Sequence, residues 1–255
     1  MLADVEEVKR IVVEAGRRAL DLCGAVDCEF KADQSLVTRA DREAERFIES
    51  ELNALYPGYA FLGEEYGRRG PADAPLWCCD PIDGTTNYVM GLPHWCVSVG
   101  LIHEGVPQLG AVYVPRLDEL FWAVRGQGAF CNGVPVRATD RDSLHVEDTI
   151  CFTSNALKTL NPEDVEGRIR SLGSIAIELL YTARGNLSAA VGLREGIIDI
   201  AAALCVCFEA GCEFRYLTGE TVAIPWLLDN LRTNRHFLYG PPRLLNHLMT
   251  LLRLR

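Results

Sequence analysis

The sequence predicts an α+β arrangement over the first half of the chain, helices laid on an antiparallel sheet, and a more α/β pattern over the second. Three observations carry this expectation. Two N-terminal segments repeat apolar residues at helical spacing. Residues 96–131 hold consecutive β-rich runs separated by turn residues. Beyond about residue 140, short apolar strands and helix-like segments alternate. A loose boundary near residue 140 divides the chain into halves 1–140 and 141–255, with no repeat, low-complexity tract or long linker between them.

Taken in order, residues 2–24 place Val5, Val8, Val12, Ala15, Ala19 and Leu22 on one stripe, with Gly24 as terminator. Residues 30–38 are polar and turn-prone. A second helix runs to about Tyr56, with Ala44, Phe47, Ile48, Leu52 and Leu55 facing inward, and Pro57-Gly58 stops it. Asp41 falls in its first turn, where an acid complements the helix dipole. Residues 59–62 form a short strand ending at Gly63-Glu64-Glu65, and residues 66–75 a polar loop. Segments 96–102 and 109–114 flank a hairpin turn at 103–107, and 120–124 with 128–133 extend the meander. In the second half the pattern predicts a strand at 148–152, a helix-like stretch at 162–171 and a helix at 174–183. A strand at 187–191, a helix at 200–210 closed by Gly211, and a last helix at 242–252 complete it.

With 255 residues, 49% hydrophobic and 24% charged, the chain can bury a substantial core as one domain or two fused ones. A formal net charge of −10 argues against nucleic acid and anionic membranes as partners. The first residues lack the basic-then-apolar layout of a signal peptide, and no apolar run approaches a bilayer span, so cytoplasmic residence is the default expectation. The ten cysteines show no C-x-x-C, and no histidine stands at zinc spacing from them. Most lie among apolar neighbours, as buried thiols do.

The chain's chemistry concentrates in Trp77-Cys78-Cys79-Asp80-Pro81-Ile82-Asp83-Gly84-Thr85-Thr86-Asn87. Pro81 biases Asp80 toward extended backbone, which predicts a strand end there. Asp83 then reads as the N-cap of a helix, followed by Gly84 and two hydroxyls with outward N–H groups. Two carboxylates thus sit beside a helix start that favours an anion. Carboxylates and an anion repel unless cations lie between them, and residues 80–115 contain no Lys or Arg. Oxygen-ligated Mg²⁺ with a phosphate solves that problem. Glu64 after the preceding strand is a third acid so placed, and Asp199, opening an apolar helix, reads either as an N-cap or as a fourth.

Asp80 to Asn87 resembles the signature of the inositol monophosphatase family, within the lithium-sensitive, magnesium-dependent phosphatase superfamily. Leu62-Gly63-Glu64-Glu65 is similar to its upstream Gly-Glu-Glu element, and Val37-Thr38-Arg39-Ala40-Asp41 to its Val-Thr-x-x-Asp element. Asp199-Ile200-Ala201-Ala202 with Glu209-Ala210-Gly211 is similar to its second signature, and residues 128–133 and 170–174 also fit. The resemblance covers essentially the whole chain. It implies a five-layer α-β-α-β-α sandwich, usually a homodimer, whose first half carries the metal motif and whose second half completes the active site. It implies that Glu64, Asp80 and the Ile82 carbonyl hold one Mg²⁺, and that Asp80, Asp83 and Asp199 share a second. A third, weaker ion is placed near Glu64. The Gly84 and Thr85 N–H groups would hold phosphate, while Asp41 and the Thr85 hydroxyl would orient and deprotonate the attacking water. Gly173 and Ser174 would contact the sugar through their backbone, with Glu195 a candidate for substrate hydroxyls or a solvated loop acid. Ile198 stands where Trp is common in relatives, and Gly211-Cys212 replaces Gly-Gly. The implied activity is hydrolysis of a small phosphate monoester, inositol monophosphate first. Fructose-1,6-bisphosphatase, histidinol-phosphate phosphatase and 3′-phosphoadenosine phosphate phosphatase are the alternatives on the same fold. A non-catalytic metal- or phosphate-binding protein is the alternative of a different class.

Overall fold

The computed structural model describes residues 2–24, 28–31 and 35–255. Asp4 accepts the Glu6 N–H and opens α1 (Val5–Leu22), which buries Val8, Ile11, Val12, Ala15 and Ala19 along one stripe. Strands β1 (Cys28–Phe30) and β2 (Leu36–Thr38) pair antiparallel where the sequence suggested only turn. The part of that expectation on residues 32–34 lies outside the described residues. Thr38 and Asp41 then cap each other reciprocally at the start of α2 (Arg39–Leu55). Strands β3 (Ala60–Gly63), β4 (Gly67–Arg69) and β5 (Leu76–Asp83) follow, so the expected polar loop at 66–75 contains a short strand. After the single-turn helix α3 (Thr85–Val89) come β6 (Cys96–His103), β7 (Val106–Val114), β8 (Glu119–Val124), β9 (Ala129–Cys131) and β10 (Val134–Val136). These strands form one eight-stranded sheet in the order β10-β9-β8-β7-β6-β5-β3-β4. It is antiparallel except where β3 runs parallel to β5.

The second half supplies β11 (Thr149–Phe152), α4 (Ser154–Thr159), β12 (Leu160–Asn161), β13 (Arg168–Arg170) and α5 (Ile175–Arg184). It continues with β14 (Ala189–Gly192), α6 (Ile197–Glu209), β15 (Glu213–Tyr216), α7 (Ile224–Asn230), β16 (Phe237–Gly240), α8 (Pro242–Leu251) and β17 (Arg253–Leu254). A five-stranded mixed sheet runs β13-β11-β14-β16-β15, and β12 pairs with β17 beside it. The helix-like reading of 162–171 is wrong. Pro162 and the positive φ of Gly167 break the backbone, and residues 168–170 join the sheet edge instead. The predicted helix at 200–210 begins three residues earlier, at Ile197.

Five layers result. Helices α1 and α2 cover one face of the large sheet, and α6 with α5 cover its other face. Helix α5 also packs on β14 and β16 of the small sheet, whose far side carries α4 and α8. Three apolar clusters fill the spaces between layers. The central one holds α6, whose Ile200 to Cys207 are all buried, each large side chain contributing about 1.5–3 kcal/mol. Helix α6 is therefore apolar all round, as a helix between two sheets must be.

Candidate active site

Strand β5 does not stop at Asp80. It continues through Pro81 to Asp83, with the four residues from Asp80 to Asp83 facing three on β6, Cys96 to Ser98. This bulge accommodates a proline, which has no N–H for the ladder, and turns both acids toward the strand's end. Asp80 is 3% exposed and accepts the Ile82 N–H at 3.0 Å. Asp83 is not the cap of α3. That position belongs to Gly84, whose φ of 91° an L side chain resists. Asp83 reaches across to another helix start, accepting the Ala176 N–H at 2.8 Å and the Ser174 hydroxyl at the beginning of α5. A carboxylate thus meets the positive end of α5 from a different strand.

The Thr85 hydroxyl stands 3.1 Å from the Ile82 carbonyl and 3.4 Å from Asp41 Oδ1. With one proton it donates to one of the two at a time. The second oxygen of Asp41 accepts the Thr38 N–H at 2.8 Å and its hydroxyl at 2.5 Å. Burial pushes Asp41 up to about 6 despite these bonds.

Glu64 follows β3, its N–H donating to the Cys79 carbonyl at 3.3 Å. The turn behind it is held by Glu45, a buried acid of α2 that accepts the Glu65 N–H at 2.7 Å and the Tyr66 N–H at 3.0 Å. Gly63 is required there, because a Cβ would lie 2.0 Å from the Glu45 carboxylate. Lys31, from the end of β1, bonds Glu64 at 2.8 Å and Glu65 at 2.6 Å. The local chain supplies no cation, but this distant hairpin does. Burial pulls the ammonium pKa down, and the two glutamates more than reverse that.

Asp199 is the third residue of α6 rather than its cap, and accepts the Gly196 N–H at 3.1 Å. It lines a cavity of about 200 Å³ together with Asp83, Thr153, Gly173, Ser174 and Glu195. The second-half candidates from the sequence therefore share one pocket with the central motif. Burial raises Asp80 well above the usual carboxylate range, and the charges of Glu64, Asp83, Asp199 and Asp41 raise it further. Burial and then Asp199 lift Asp83 to about 7. Burial and then Glu64 lift Asp199 to about 6, and burial and then Asp199 take Glu195 to about 8. These acids feel one another strongly. Among the described residues they do not close into a cage of three or more metal-ligating side chains. The donors are all oxygen, mutually repelling, and carry the Ile82 carbonyl beside them, a set suited to a hard cation such as Mg²⁺.

Three residues of this neighbourhood escaped the sequence reading. Glu45 and Glu178 carried a signal, each a carboxylate inside the apolar stripe of a helix. Lys31 carried none, since its partners are more than thirty residues away.

The sequence profile of the inositol monophosphatase family matches residues 4–248. The chain belongs to this family. Its members are phosphoric monoester hydrolases. An inositol monophosphatase of Mesembryanthemum crystallinum is 38% identical over 201 residues, covering 72% of this chain and 73% of the relative. A fructose-1,6-bisphosphatase/inositol-1-monophosphatase of Aquifex aeolicus is 32% identical over 231 residues, covering 86% and 87%. The solved inositol monophosphatase of Thermotoga maritima superposes with a TM-score of 0.83 at 28% identity, over 96% of this chain and 95% of that one. The inositol monophosphatase family fold is thus the five-layer sandwich described above. Among the described residues no helix is long and apolar enough to cross a membrane.

Proposed function

We propose that this member of the inositol monophosphatase family hydrolyses a small phosphate monoester, inositol monophosphate first, with two or three Mg²⁺ ions. The observation that carries the reading is the Thr85 hydroxyl set between Asp41 and the Ile82 carbonyl, beside the buried acids Asp80 and Asp83. Glu64, Asp80 and the Ile82 carbonyl would hold one ion, Asp80, Asp83 and Asp199 a second, and Glu64 a weaker third. When bound, Mg²⁺ supplies water activation and neutralisation of the leaving oxygen. Asp41 accepts a proton through Thr85, which fixes the direction of attack. Thr38 holds Asp41 in place, through the N–H and hydroxyl on its far oxygen. The Gly84 and Thr85 N–H groups bind phosphate oxygens at the close of β5. Ser174 and the Ala176 N–H hold Asp83 so that it faces the centre. Gly173, Ser174 and Glu195 receive the alcohol portion in the 200 Å³ cavity.

A second reading, hydrolysis of fructose 1,6-bisphosphate as well, draws support from the Aquifex aeolicus relative, whose name carries both activities. A phosphate-release assay with Mg²⁺ separates the readings. Its panel is inositol 1-phosphate, fructose 1,6-bisphosphate, histidinol phosphate and 3′-phosphoadenosine 5′-phosphate. The expected result is the highest kcat/KM on inositol 1-phosphate. Turnover of the bisphosphate alone would transfer the assignment, and no release from any of them would overturn it. The reading includes a homodimer, checked by light scattering. It also includes residence in the cytoplasm, supported by ten free cysteines of which eight are buried.

A further inference from the structure

The segment joining β13 to α5 carries Gly173 and Ser174 to the cavity, and one peptide unit in it is held at both ends. The Leu172 carbonyl accepts from Asn87 Nδ2 at 2.7 Å. The N–H of that same unit, on Gly173, donates to Glu178 Oε1 at 3.2 Å, and the Leu172 N–H donates to the same oxygen at 2.8 Å. Asn87 gives its other amide proton to the His94 carbonyl at 2.6 Å, so both its donors are committed. Asn87 lies in α3, two residues beyond Thr85. Glu178 lies in the first turn of α5, is 1% exposed and lines the same cavity. Burying a carboxyl this deeply is unfavourable unless its bonds are worth keeping. No step of the proposed reaction uses either side chain.

The surroundings show what the bonds fix. Gly173 has φ of 80°, and a Cβ on it would sit 3.1 Å from Asn87 Nδ2. A Cβ on Gly84 would lie 3.2 Å from Ser174 Cβ and 3.3 Å from the Gly173 carbonyl. The turn assigned to phosphate therefore touches the segment assigned to the alcohol portion at Gly84, which lies against the Gly173 carbonyl and Ser174 Cβ. Sliding one against the other would change the distance between phosphate and alcohol subsites directly.

We propose that Asn87 and Glu178 are positioning residues, a two-sided clamp on the 172–173 peptide unit that keeps the alcohol-binding segment in register with the Gly84–Thr85 turn. The inference rests on the phosphatase reading above and adds residues that touch neither phosphate nor metal. A misplacement of about 1 Å in a positioned site can lower turnover by up to about 100-fold. The effect should fall on substrates whose alcohol group is held in the cavity, and less on an aryl phosphate with no ring hydroxyls.

The test compares inositol 1-phosphate with p-nitrophenyl phosphate in the full-length protein with Mg²⁺. Glu178→Ala and Asn87→Ala should each raise KM for inositol 1-phosphate about 10-fold or more. Each should also lower its kcat/KM relative to p-nitrophenyl phosphate by about the same factor. Glu178→Gln, which keeps an acceptor oxygen, should recover most of that ratio, whereas Asn87→Asp, which loses both donors, should not. The double alanine variant should lose little more than either single one, since both act on one peptide unit. A variant that is merely less stable would keep the substrate ratio. An unchanged ratio in a variant folded at the assay temperature, or Glu178→Gln no better than Glu178→Ala, overturns the clamp. Should Glu178→Ala fail to fold, the Asn87 variants decide. A wild-type protein inert on both substrates overturns the phosphatase reading instead.

Discussion

In the eight-stranded half, Asp80 and Asp83 sit inside a strand whose backbone is paired on both sides of a bulge, and Glu64 leaves a strand end backed by buried Glu45. In the other half, Asp199 enters from the first turn of a helix with a single bond to Gly196. The segment leading to it belongs to no named strand and is held by one isolated bridge, Gly196 with Arg232, and its flanking bonds. Glu195 N–H donates to the Thr233 hydroxyl at 3.1 Å, Thr233 N–H to the Glu195 carbonyl at 2.9 Å, and Ile197 N–H to Leu231 at 2.8 Å. The first arrangement fixes charge where exact placement matters to any phosphate. The second ties the wall proposed to meet the alcohol through that single antiparallel bridge rather than through a continuous ladder, which leaves it more open to change in length and sequence.

The sharpest way to break this contrast lies on the strand side. Asp41→Asn and Thr85→Ala should each lower kcat by about 100- to 10,000-fold, the range of a lost general base, while Mg²⁺ binding measured by calorimetry stays near wild type. Normal rates in either would remove the proton path through Thr85. Next in size are changes at and behind the proposed ligands. Glu45→Ala removes both bonds that hold the turn after Glu64, and should raise the Mg²⁺ concentration for half-activation about 10- to 100-fold. Asp199→Asn keeps an oxygen for Gly196 but loses the charge, and should shift the same midpoint. An unshifted midpoint would return Asp199 to a helix-start role only.

Electrostatics gives a smaller, graded effect. Folding raises Asp41 and Asp199 to about 6 and Asp83 to about 7, burial being the first cause in each. A raised folded-state pKa contributes stability that is present below the unfolded value, about 4, and is lost as pH climbs through the folded one. The melting temperature of EDTA-treated protein should therefore fall between pH 5 and pH 8, and Mg²⁺ should flatten the slope. Asp80→Asn should flatten it without metal, by removing one buried charge from the group. A metal-free melting curve independent of pH would mean that these carboxyls are not held buried together.

Much of this was legible beforehand because it is local. The Asp-Pro-Ile-Asp-Gly-Thr-Thr run is contiguous, and α1 and α2 show their buried stripes at helical spacing. What escaped depends on contacts that sequence spacing does not encode. Its place before Gly84-Thr85 predicts Asp83 as a cap for the next residues, yet it accepts from the Ala176 N–H at the start of α5, more than ninety residues on. Pro81 suggested a strand end, yet a bulge absorbs its missing donor. Residues 162–171 contain helix-forming side chains, but Gly167 at φ of 108° and the pairing of Arg168 to Arg170 with β11 override that propensity. Glu45 could have been found, since Asp41, Glu45, Ile48 and Leu52 share the face of α2 that is buried.

The smallest predicted effect tests whether the two halves are mechanically one site. Gly100 on β6 and Gly110 on β7 are paired, and both lie directly under Ala202 of α6. A Cβ on Gly110 would fall 2.2 Å from the Ala202 carbonyl oxygen, and one on Gly100 would fall 2.6 Å from its nitrogen. These are backbone atoms in a helix packed on both sides, so the helix itself must move. Gly110→Ala should therefore destabilise the protein by about 1–3 kcal/mol, the usual cost of overpacking. For a chain of this size that is a drop of roughly 2–4 °C in Tm per kcal/mol. Ala202 is three residues from Asp199, less than one helical turn, so lifting α6 also lifts that carboxylate from Asp80. A small rise in the Mg²⁺ midpoint should accompany the lower Tm. If Tm falls with no change in the midpoint, α6 yields locally, and the helix-borne acid is placed by its own loop rather than by the strands beneath it.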